Sequence, residues 1–160
     1  MPTFSHIDDQ GRVRMVDVTE KKSTDRSATA QGIVTMTRET FENIKDQKIK
    51  KGNVLEAARI AGVMAAKKTA DLIPMCHPLN ISHVTIDFFP EEQEAAFKII
   101  ATVRLKGKTG VEMEALTAVS IAALTIYDMC KSHDKEMTIR DICLLKKEGG
   151  KSGPFVRAAD

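Results

Sequence analysis

Two stretches in which apolar and polar residues alternate, joined by a short polar segment, constrain the fold of this chain most strongly. Residues 83–89 read HVTIDFF and residues 97–105 read FKIIATVRL, and in each of them every second side chain is apolar. A period of two residues is that of a half-buried β-strand. Because the connecting segment around PEEQEA is polar and short, the sequence predicts an antiparallel β-hairpin.

The segments on either side of the hairpin have periodicities and end signals of their own. Asn53 and Glu56 resemble a capping box, and the alanine-rich stretch that follows them has high helix propensity and contains no proline. The predicted elements are, in chain order, a strand at 33–37, a helix at 38–47, a helix at 53–70, the hairpin, a helix at 110–132 and a strand at 137–145.

The order of these elements predicts the fold class. With the first helix in two pieces, the order is β-α-β-β-α-β, which is typical of the α+β ferredoxin-like pattern, a four-stranded antiparallel sheet with helices on one face. At 160 residues the chain is long enough for one domain with a substantial core. Residues 1–31 contain the polar run TEKKSTDRSATAQG and are predicted to be a mobile polar leader, so the single domain covers residues 32–160.

Two apolar surfaces of the predicted fold need cover. A sheet with helices on one face leaves its second face open, and the helix at 110–132 is apolar or small nearly all round. Depending on register, the open face would carry Ile100 with either Ile142 and Leu144 or Ile139 and Cys143. We therefore expect a homo-oligomer.

Composition argues against a nucleic-acid partner. The formal net charge is +2, aromatic residues make up 4% of the chain, and there is no tryptophan to stack on bases. The strand order also describes an RNA-recognition module, but the third strand, FKIIATVRL, has one aromatic residue and no glycine. We expect no nucleic-acid partner.

The apolar runs and the cysteines of the sequence bear on the cellular location of the protein. The longest apolar run, within residues 115–130, is interrupted by polar side chains, and we expect it to be too short and too polar to span a bilayer. The three cysteines are an odd number without a C-x-x-C pair, which favours reduced thiols. With no secretory signal at the start, a cytoplasmic location without a membrane partner is the simplest expectation.

Two Gly-Lys-hydroxyl-Gly tetrapeptides, at 107–110 and 150–153, raise the possibility of phosphate binding. A nucleotide P-loop requires a further glycine five residues earlier, where this chain has Thr102 and Leu145. Neither stretch is a P-loop. Each remains a flexible turn that carries a cation and a hydroxyl group.

An acidic residue within the apolar helix is a candidate for chemistry. Asp128 and Lys131 are three residues apart and share a helix face. The pair is either an exposed ion pair of little energetic weight or a buried carboxylate that requires its lysine partner. The spacing leaves both interpretations open.

A second candidate is the segment DLIPMCHPLN at 71–80, in which two prolines fix the backbone around Met75, Cys76 and His77. A zinc site needs three or four ligands, and no second Cys/His pair is present, so we expect no metal there. The segment is either a structural turn or a rigid loop that offers an imidazole to a small molecule. Cations near glycine breaks could hold a polyanion or serve only solubility; they are Arg26, Lys51, Lys67, Lys68, Lys146, Lys147 and Lys151.

Four stretches, MVDVT, LIPMCHPL, GKTGVEMEALTAVSIAALTIYDMCK and GGKSG, together resemble the cyclic pyranopterin monophosphate synthases, the C proteins of molybdenum cofactor biosynthesis. The resemblance implies a ferredoxin-like catalytic domain in a homohexamer of three dimers, with active sites at subunit interfaces. It implies a lyase that converts 3′,8-cyclo-7,8-dihydro-GTP to cyclic pyranopterin monophosphate and releases pyrophosphate. It implies no protein cofactor, and Mg²⁺ only as a companion of the triphosphate.

The resemblance also assigns roles to residues of this chain. Substrate contacts fall on Met75, Cys76, His77, Met113 and Glu114, and the catalytic aspartate falls on Asp128, with Lys131 beside it and Lys51 as a further functional lysine. Arg26, Lys67, Glu112 and Lys147 fall on other functional positions, while Asn53 stands where the family often has Asp. We interpret Asp128, Lys131 and Lys51 as proton-transfer residues, His77 and Glu114 as holding the base, and Arg26, Lys67 and Lys147 as binding the triphosphate.

Overall fold

The strands that the structure describes pair antiparallel in one five-stranded sheet, in the order β2-β3-β1-β4-β5. The structure, a computed structural model, describes residues 6–158. Its elements are β1 (Thr24–Thr35), α1 (Arg38–Lys45), α2 (Val54–Lys67), α3 (Thr69–Leu72), β2 (His83–Glu91), β3 (Ala96–Gly107), α4 (Glu112–Cys130), β4 (Thr138–Glu148) and β5 (Phe155–Val156). The predicted α+β class with an antiparallel sheet is confirmed, as is the hairpin, which is β2 and β3.

The expectation of four strands was wrong, because a short fifth strand lies beside β4. Lys146 pairs with Val156 and Lys147 with Phe155, and the amide of Arg157 donates to the carbonyl of Leu145 at 2.8 Å. A strand of two residues has no alternation to detect, so no residue pattern indicated it.

The predicted boundary at residues 31 and 32 was also wrong, because β1 begins at Thr24 and occupies the centre of the sheet. Its partners on β3 run from Gly107, opposite Thr24, to Ala96, opposite Thr35. The first half of the strand reads as polar because its inward positions are alanines, Ala28 and Ala30, which are fully buried. Small residues here leave room for α4, which packs across the strand.

The core lies between one face of the sheet and helices α2 and α4, which also pack on each other. The two helices lie close together at Gly62, since a β-carbon there would stand 2.9 Å from the carbonyl oxygen of Ala118. We expected the apolar run within residues 115–130 to be too short and too polar to span a bilayer. This was wrong, because α4 is long and apolar enough to cross one. The helix packs instead in the core, where Ala115, Val119 and Ile126 are fully buried.

The residues on the opposite face of the sheet match neither of the two sets that we predicted. Gln31 pairs with Cys143 but Ile33 pairs with Arg140, so β4 carries an extra residue, Asp141, with a φ of +53°. This bulge reverses the facing of β4 in the middle of the strand, and a second register shift, between Thr29 and Ala30, reverses it again before the strand ends. Cys143 therefore lies on the outer face, whereas Ile139, paired with buried Val34, lies on the inner face.

The helix layer leaves large apolar side chains in solvent within one subunit. Leu124 on α4 is 52% exposed, and Ile60 and Met64 on α2 are 61% and 53% exposed. Exposed large apolar groups on two helices that pack on each other are typical of a surface that contacts another protein.

Candidate functional site

A cavity of about 740 Å³ lies between the loop after α3, the first turn of α4 and the leader. A volume of this size is in the range of sites for small molecules. All six residues that we predicted to contact substrate on these two elements line it, namely Met75, Cys76, His77, Glu112, Met113 and Glu114. The structure therefore brings together residues that are more than thirty positions apart in the chain.

The loop that supplies the first three residues is held by hydrogen bonds of its own backbone and of His77. The amide of Cys76 donates to the carbonyl of Ile73 at 3.1 Å, forming a turn around Pro74. His77 Nε2 lies 2.7 Å from the carbonyl oxygen of Val16 in the leader. Because a carbonyl only accepts, Nε2 carries the proton and His77 donates.

Glu114 is a buried carboxyl group at the start of α4, with 3% of its surface exposed. Burial raises its pKa from 4.5 to about 7, and the nearby charge of Glu112 adds to the shift. Burial also raises the pKa of the Cys76 thiol, with a further contribution from Glu114. Near neutral pH the Glu114 carboxyl can therefore donate or accept a hydrogen bond, which suits recognition of a heterocycle with both kinds of group.

The raised pKa of Glu114 predicts a dependence of stability on pH. A carboxyl group whose pKa is higher in the folded state does not lower the free energy of unfolding at pH values well below 4.5. It lowers the free energy of unfolding progressively as the pH rises from about 4.5 to about 7. The shift corresponds to about 3 kcal/mol. Glu114→Gln should exceed the wild type in free energy of unfolding by less than about 1 kcal/mol at pH 5 and by up to about 3 kcal/mol at pH 8.

Denaturant unfolding at one protein concentration, at both pH values, tests this prediction. Glu39→Gln, at an exposed position in the first turn of α1, is the control and should change neither value. A Glu114→Gln variant with the same stability difference from wild type at pH 5 and pH 8 would contradict the assignment of a raised pKa.

Glu112 links the cavity to the end of β4. Lys147 Nζ lies 2.8 Å from Glu112 Oε1 and 3.0 Å from Ser152 Oγ, in the glycine turn that follows the strand. Both Lys147 and Glu112 are half-buried. The lysine thus holds the first turn of α4 and the 150–153 turn at a fixed distance.

Two other predicted cations lie outside the lining of this cavity. Arg26 donates from a guanidinium nitrogen to the carbonyl of Lys108 at 3.3 Å, and its buried Nε has no hydrogen-bond partner among residues 6–158. Lys67 is the last residue of α2 and is exposed. Neither residue lines the large cavity in the part of the chain that the structure describes.

The three predicted proton-transfer residues meet at the other end of α4. Lys131 Nζ lies 2.7 Å from Asp128 Oδ1, and Lys51 Nζ donates to the main-chain carbonyl of Asp128 at 3.1 Å. The Lys131 bond lowers the pKa of Asp128, and Asp128 in turn raises the pKa of Lys131. The Asp128 side chain is 66% exposed, so within one subunit the pair is a solvated ion pair and the buried alternative was wrong.

The cavity and this cluster of Asp128, Lys131 and Lys51 are separate places on one subunit. Glu114 and Asp128 are fourteen residues apart on α4, which at 1.5 Å per residue is about 21 Å along the helix axis. A small molecule held in the cavity of one subunit therefore does not reach the cluster of the same subunit.

Sequence reasoning missed the part of the cavity wall that the leader provides. Val16, Val18 and Lys21 line the cavity, and Lys108 Nζ holds the leader through the carbonyl of Thr19 at 2.7 Å. The signal was present in the sequence, since valines within an otherwise polar segment indicate a packing contact.

We expected no metal site in the loop that contains Cys76 and His77. Among the described residues, no group of three or more His, Cys, Asp or Glu side chains is arranged to hold a metal ion. Cys76 and His77 supply two neighbouring donors, fewer than a zinc site requires.

Comparison with known proteins gives consistent matches over nearly the whole chain. The model of the MoaC family matches residues 15–150. A protein of Desulforapulum autotrophicum is 65% identical over 156 residues, which cover 98% of this chain and 96% of that protein. A protein of Desulfatibacillum aliphaticivorans is 62% identical, with 98% of each chain covered, and one of Geobacillus kaustophilus is 55% identical over the full length of both. All three relatives are named cyclic pyranopterin monophosphate synthase.

Proposed function

The chain belongs to the MoaC family, and we propose that it converts 3′,8-cyclo-7,8-dihydro-GTP to cyclic pyranopterin monophosphate with release of pyrophosphate. It is an enzyme of molybdenum cofactor biosynthesis, in the lyase class, with the activity for which its relatives are named. The observation that carries the proposal is identity of up to 65% over nearly the full length of relatives with that activity.

The large cavity is the site for the heterocycle of the substrate. Glu114 and His77 supply a carboxyl group and an imidazole in a wall that also contains Met75, Cys76 and Met113. Such a site combines apolar contacts with a few directed hydrogen bonds, as binding of a flat polar ring requires. Arg26, Lys147 and Lys67 bind the triphosphate as cations, and Glu112 positions Lys147 through their hydrogen bond of 2.8 Å.

Asp128, Lys131 and Lys51 transfer protons. Closing the cyclic phosphate forms a bond from a sugar hydroxyl oxygen to the α-phosphorus and breaks the bond to the β-phosphate, so that pyrophosphate leaves. The hydroxyl proton must pass to a base, and the ring rearrangement needs further proton transfers. The Asp128 carboxylate has the Lys131 amine at 2.7 Å, and the Lys51 amine lies 3.1 Å from the main-chain carbonyl of Asp128, so that a carboxylate and two amines are available at one place as acid and base.

The active site is shared between subunits. Because about 21 Å of helix separates Glu114 from Asp128, the cluster of one subunit must face the cavity of another to act on the same substrate. The subunit is ferredoxin-like, with β5 as an addition at the sheet edge, and assembles as a homohexamer of three dimers. The exposed Leu124, Ile60 and Met64 supply apolar surface for such contacts.

The assembly is testable without substrate. Sedimentation equilibrium in dilute solution should give about six times the 17.6 kDa chain mass. Replacing Leu124 and Ile60 by Glu should shift the protein to smaller species and lower its activity, because charged groups would oppose burial of that surface. A wild-type protein that sediments as a monomer with full activity would contradict both the assembly and the shared site.

The remaining expectations concern cofactors and location. We propose that the protein holds no metal or organic cofactor of its own, that Mg²⁺ acts only with the substrate triphosphate, and that the enzyme is cytoplasmic without nucleic-acid or membrane partners. Exhaustive removal of zinc should leave activity unchanged, whereas stoichiometric zinc in active protein would contradict this proposal.

Product formation distinguishes the enzyme from the alternative, a non-catalytic oligomer that binds a nucleotide. Purified protein with the cyclic GTP derivative should release pyrophosphate and cyclic pyranopterin monophosphate in equal amounts. Binding of the substrate without release of either product would favour the non-catalytic nucleotide-binding oligomer.

A further inference from the structure

The first Gly-Lys-hydroxyl-Gly tetrapeptide, at 107–110, has no role in the function proposed above. It forms the turn between β3 and α4, and Thr109 and Gly110 line the large cavity. The side chain of Lys108 extends from this turn to the leader, where its Nζ donates to the carbonyl of Thr19 at 2.7 Å. The turn therefore connects the start of α4 with the segment that precedes β1.

The part of the leader that Lys108 contacts, residues 16–19, forms one wall of the cavity, and we call it the strap. Val16 and Val18 line the cavity and are half-buried, whereas the two residues that alternate with them are exposed. The strap is attached at both ends, because His77 donates to the carbonyl of Val16 at 2.7 Å and Lys108 donates to that of Thr19. It thus bridges the loop after α3 and the turn before α4.

The attachment of the leader is sparse. Within residues 6–158, two hydrogen bonds tie residues 6–22 to the rest of the subunit, and both are donated by the side chains just named. The ion pair of the leader, between Arg12 and Asp8, is internal to it. Segments that are held by few hydrogen bonds and little buried apolar surface open locally at a low cost in free energy. The strap can therefore open while the fold of the subunit is retained.

The strap has a shape of its own that Lys108 supports from two sides. The amide of Thr19 donates to Asp17 Oδ1 at 2.9 Å, and the amide of Lys21 donates to the carbonyl of Val18 at 3.1 Å. Hydrogen bonds from Thr19 lower the pKa of Asp17, and the nearby charge of Lys108 adds to this effect. The lysine therefore bonds the strap at a carbonyl oxygen and also attracts its carboxylate.

We propose that the strap closes over the heterocycle in the large cavity and that Lys108 is the positioning residue that holds it closed. This inference rests on the proposed function for the identity of the ring. An open strap admits the ring, and a closed strap shields it from solvent behind the two valines. His77 lines the cavity itself, whereas Lys108 acts through the strap, so Lys108 can be replaced without changing the cavity lining.

The test begins with Lys108→Met, which keeps most of the side-chain length, removes the donor, and leaves the Lys108 carbonyl that Arg26 bonds at 3.3 Å. Limited digestion with trypsin, after Arg14 and Lys21 on either side of the strap, measures opening. Cleavage of a segment that opens and closes rapidly follows the population of its open form. Saturating amounts of the cyclic GTP derivative should slow this cleavage, because the bound ring holds the strap closed.

Calorimetric titration with the cyclic GTP derivative measures the closed form, since a ligand that binds one state has an apparent affinity proportional to the fraction in that state. The titrations are made in Asp128→Asn protein, in which turnover is suppressed. Opening and binding follow the same equilibrium, so the increase in cleavage rate multiplied by the decrease in affinity should be about tenfold for Lys108→Met. A hydrogen bond from a charged donor contributes a factor of about that size.

Two further variants separate the hydrogen bond from the charge. Lys108→Arg keeps a cationic donor and should bring the product of the two factors back to about one. Lys106→Met is the matched control, because Lys106 is an exposed lysine on β3 whose replacement removes the same charge and the same kind of trypsin site. At saturating substrate the strap is closed, so Lys108→Met in otherwise wild-type protein should change kcat by less than about twofold.

The outcomes separate this inference from the proposed function. A product of about one for Lys108→Met, or an equal product for Lys106→Met, would overturn the inference and leave the activity intact. A strap whose cleavage the derivative does not slow, or a fall in kcat of about tenfold, would overturn it as well. The expected changes in cleavage and affinity, in a protein that forms no product, would support the strap and contradict the activity.

Discussion

Asp128→Asn should lower turnover by about two orders of magnitude or more while the oligomer remains folded, because general acid–base groups typically contribute that much. The substitution keeps size and shape but removes the charge and the basicity of the side chain. In the isolated subunit the carboxylate is 66% exposed and contacts Lys131 at 2.7 Å. An exposed ion pair contributes little to stability, so thermal unfolding should change slightly.

Lys131→Ala and Lys51→Ala should show losses of similar size, since both amines lie within 3.1 Å of Asp128. The chain offers a matched control in Asp46 and Lys48, an exposed pair with a separation of 2.6 Å on another part of the surface. Asp46→Asn removes an equivalent ion pair and should leave turnover unchanged. Steady-state kinetics, with sedimentation to verify assembly, are the measurements.

Folded, fully active Asp128→Asn protein would show that the pair is only a surface contact. A comparable loss in Asp46→Asn protein would show that the effect is a general one of charge. Either outcome would remove Asp128 from the proposed chemistry.

Mixing two inactive variants should restore activity if cluster and cavity come from different subunits. One variant is Asp128→Asn, altered in the cluster, and the other is Glu114→Ala, which removes the cavity carboxyl group that we propose to hold the base and should therefore be inactive on its own. In a randomly mixed oligomer about one quarter of the sites would combine an intact cluster with an intact cavity, so activity should return to about a quarter of the wild-type value. The subunits must be dissociated and reassembled together before the assay.

The structure also supplies the negative control for this experiment. Lys51 and Asp128 belong to the same cluster of one subunit, with Lys51 Nζ 3.1 Å from the Asp128 carbonyl. Lys51→Ala mixed with Asp128→Asn should therefore restore nothing, because every cluster in the mixture carries one defect. Recovery in this second mixture, or none in the first, would contradict the shared site as we describe it.

The parts of the fold that could be predicted are those in which side-chain pattern and burial agree. The β2-β3 hairpin was predicted to within two residues at each end, because its inward residues are large and alternate with polar ones. The first half of β1 was not, because Ala28 and Ala30 achieve full burial with little hydrophobic signal. The facing of β4 depends on two register shifts, one of them at Asp141, and single inserted residues leave no mark on composition.

The candidate site shows a similar division. Spacing on a helix was enough to place Asp128 beside Lys131, and the two prolines indicated a fixed loop around His77. No local pattern could bring Lys51 to the last turn of α4, or Val16 to His77, because such contacts depend on how distant segments pack. The 21 Å between cavity and cluster required the structure as well, since sequence motifs report residue types and not their separation in space.

The length of α4 limits which changes of sequence this enzyme can accommodate. The helix carries Glu114 in its first turn and Asp128 in its last, and it is continuous over Glu112–Cys130. Inserting or deleting one residue between them would rotate one end against the other by about 100° and shift it by about 1.5 Å. In the shared active site that we propose, each helix would serve two sites, so that error would recur at every active site of the oligomer. Substitutions along α4 can be absorbed by local repacking, whereas a change in its number of residues cannot.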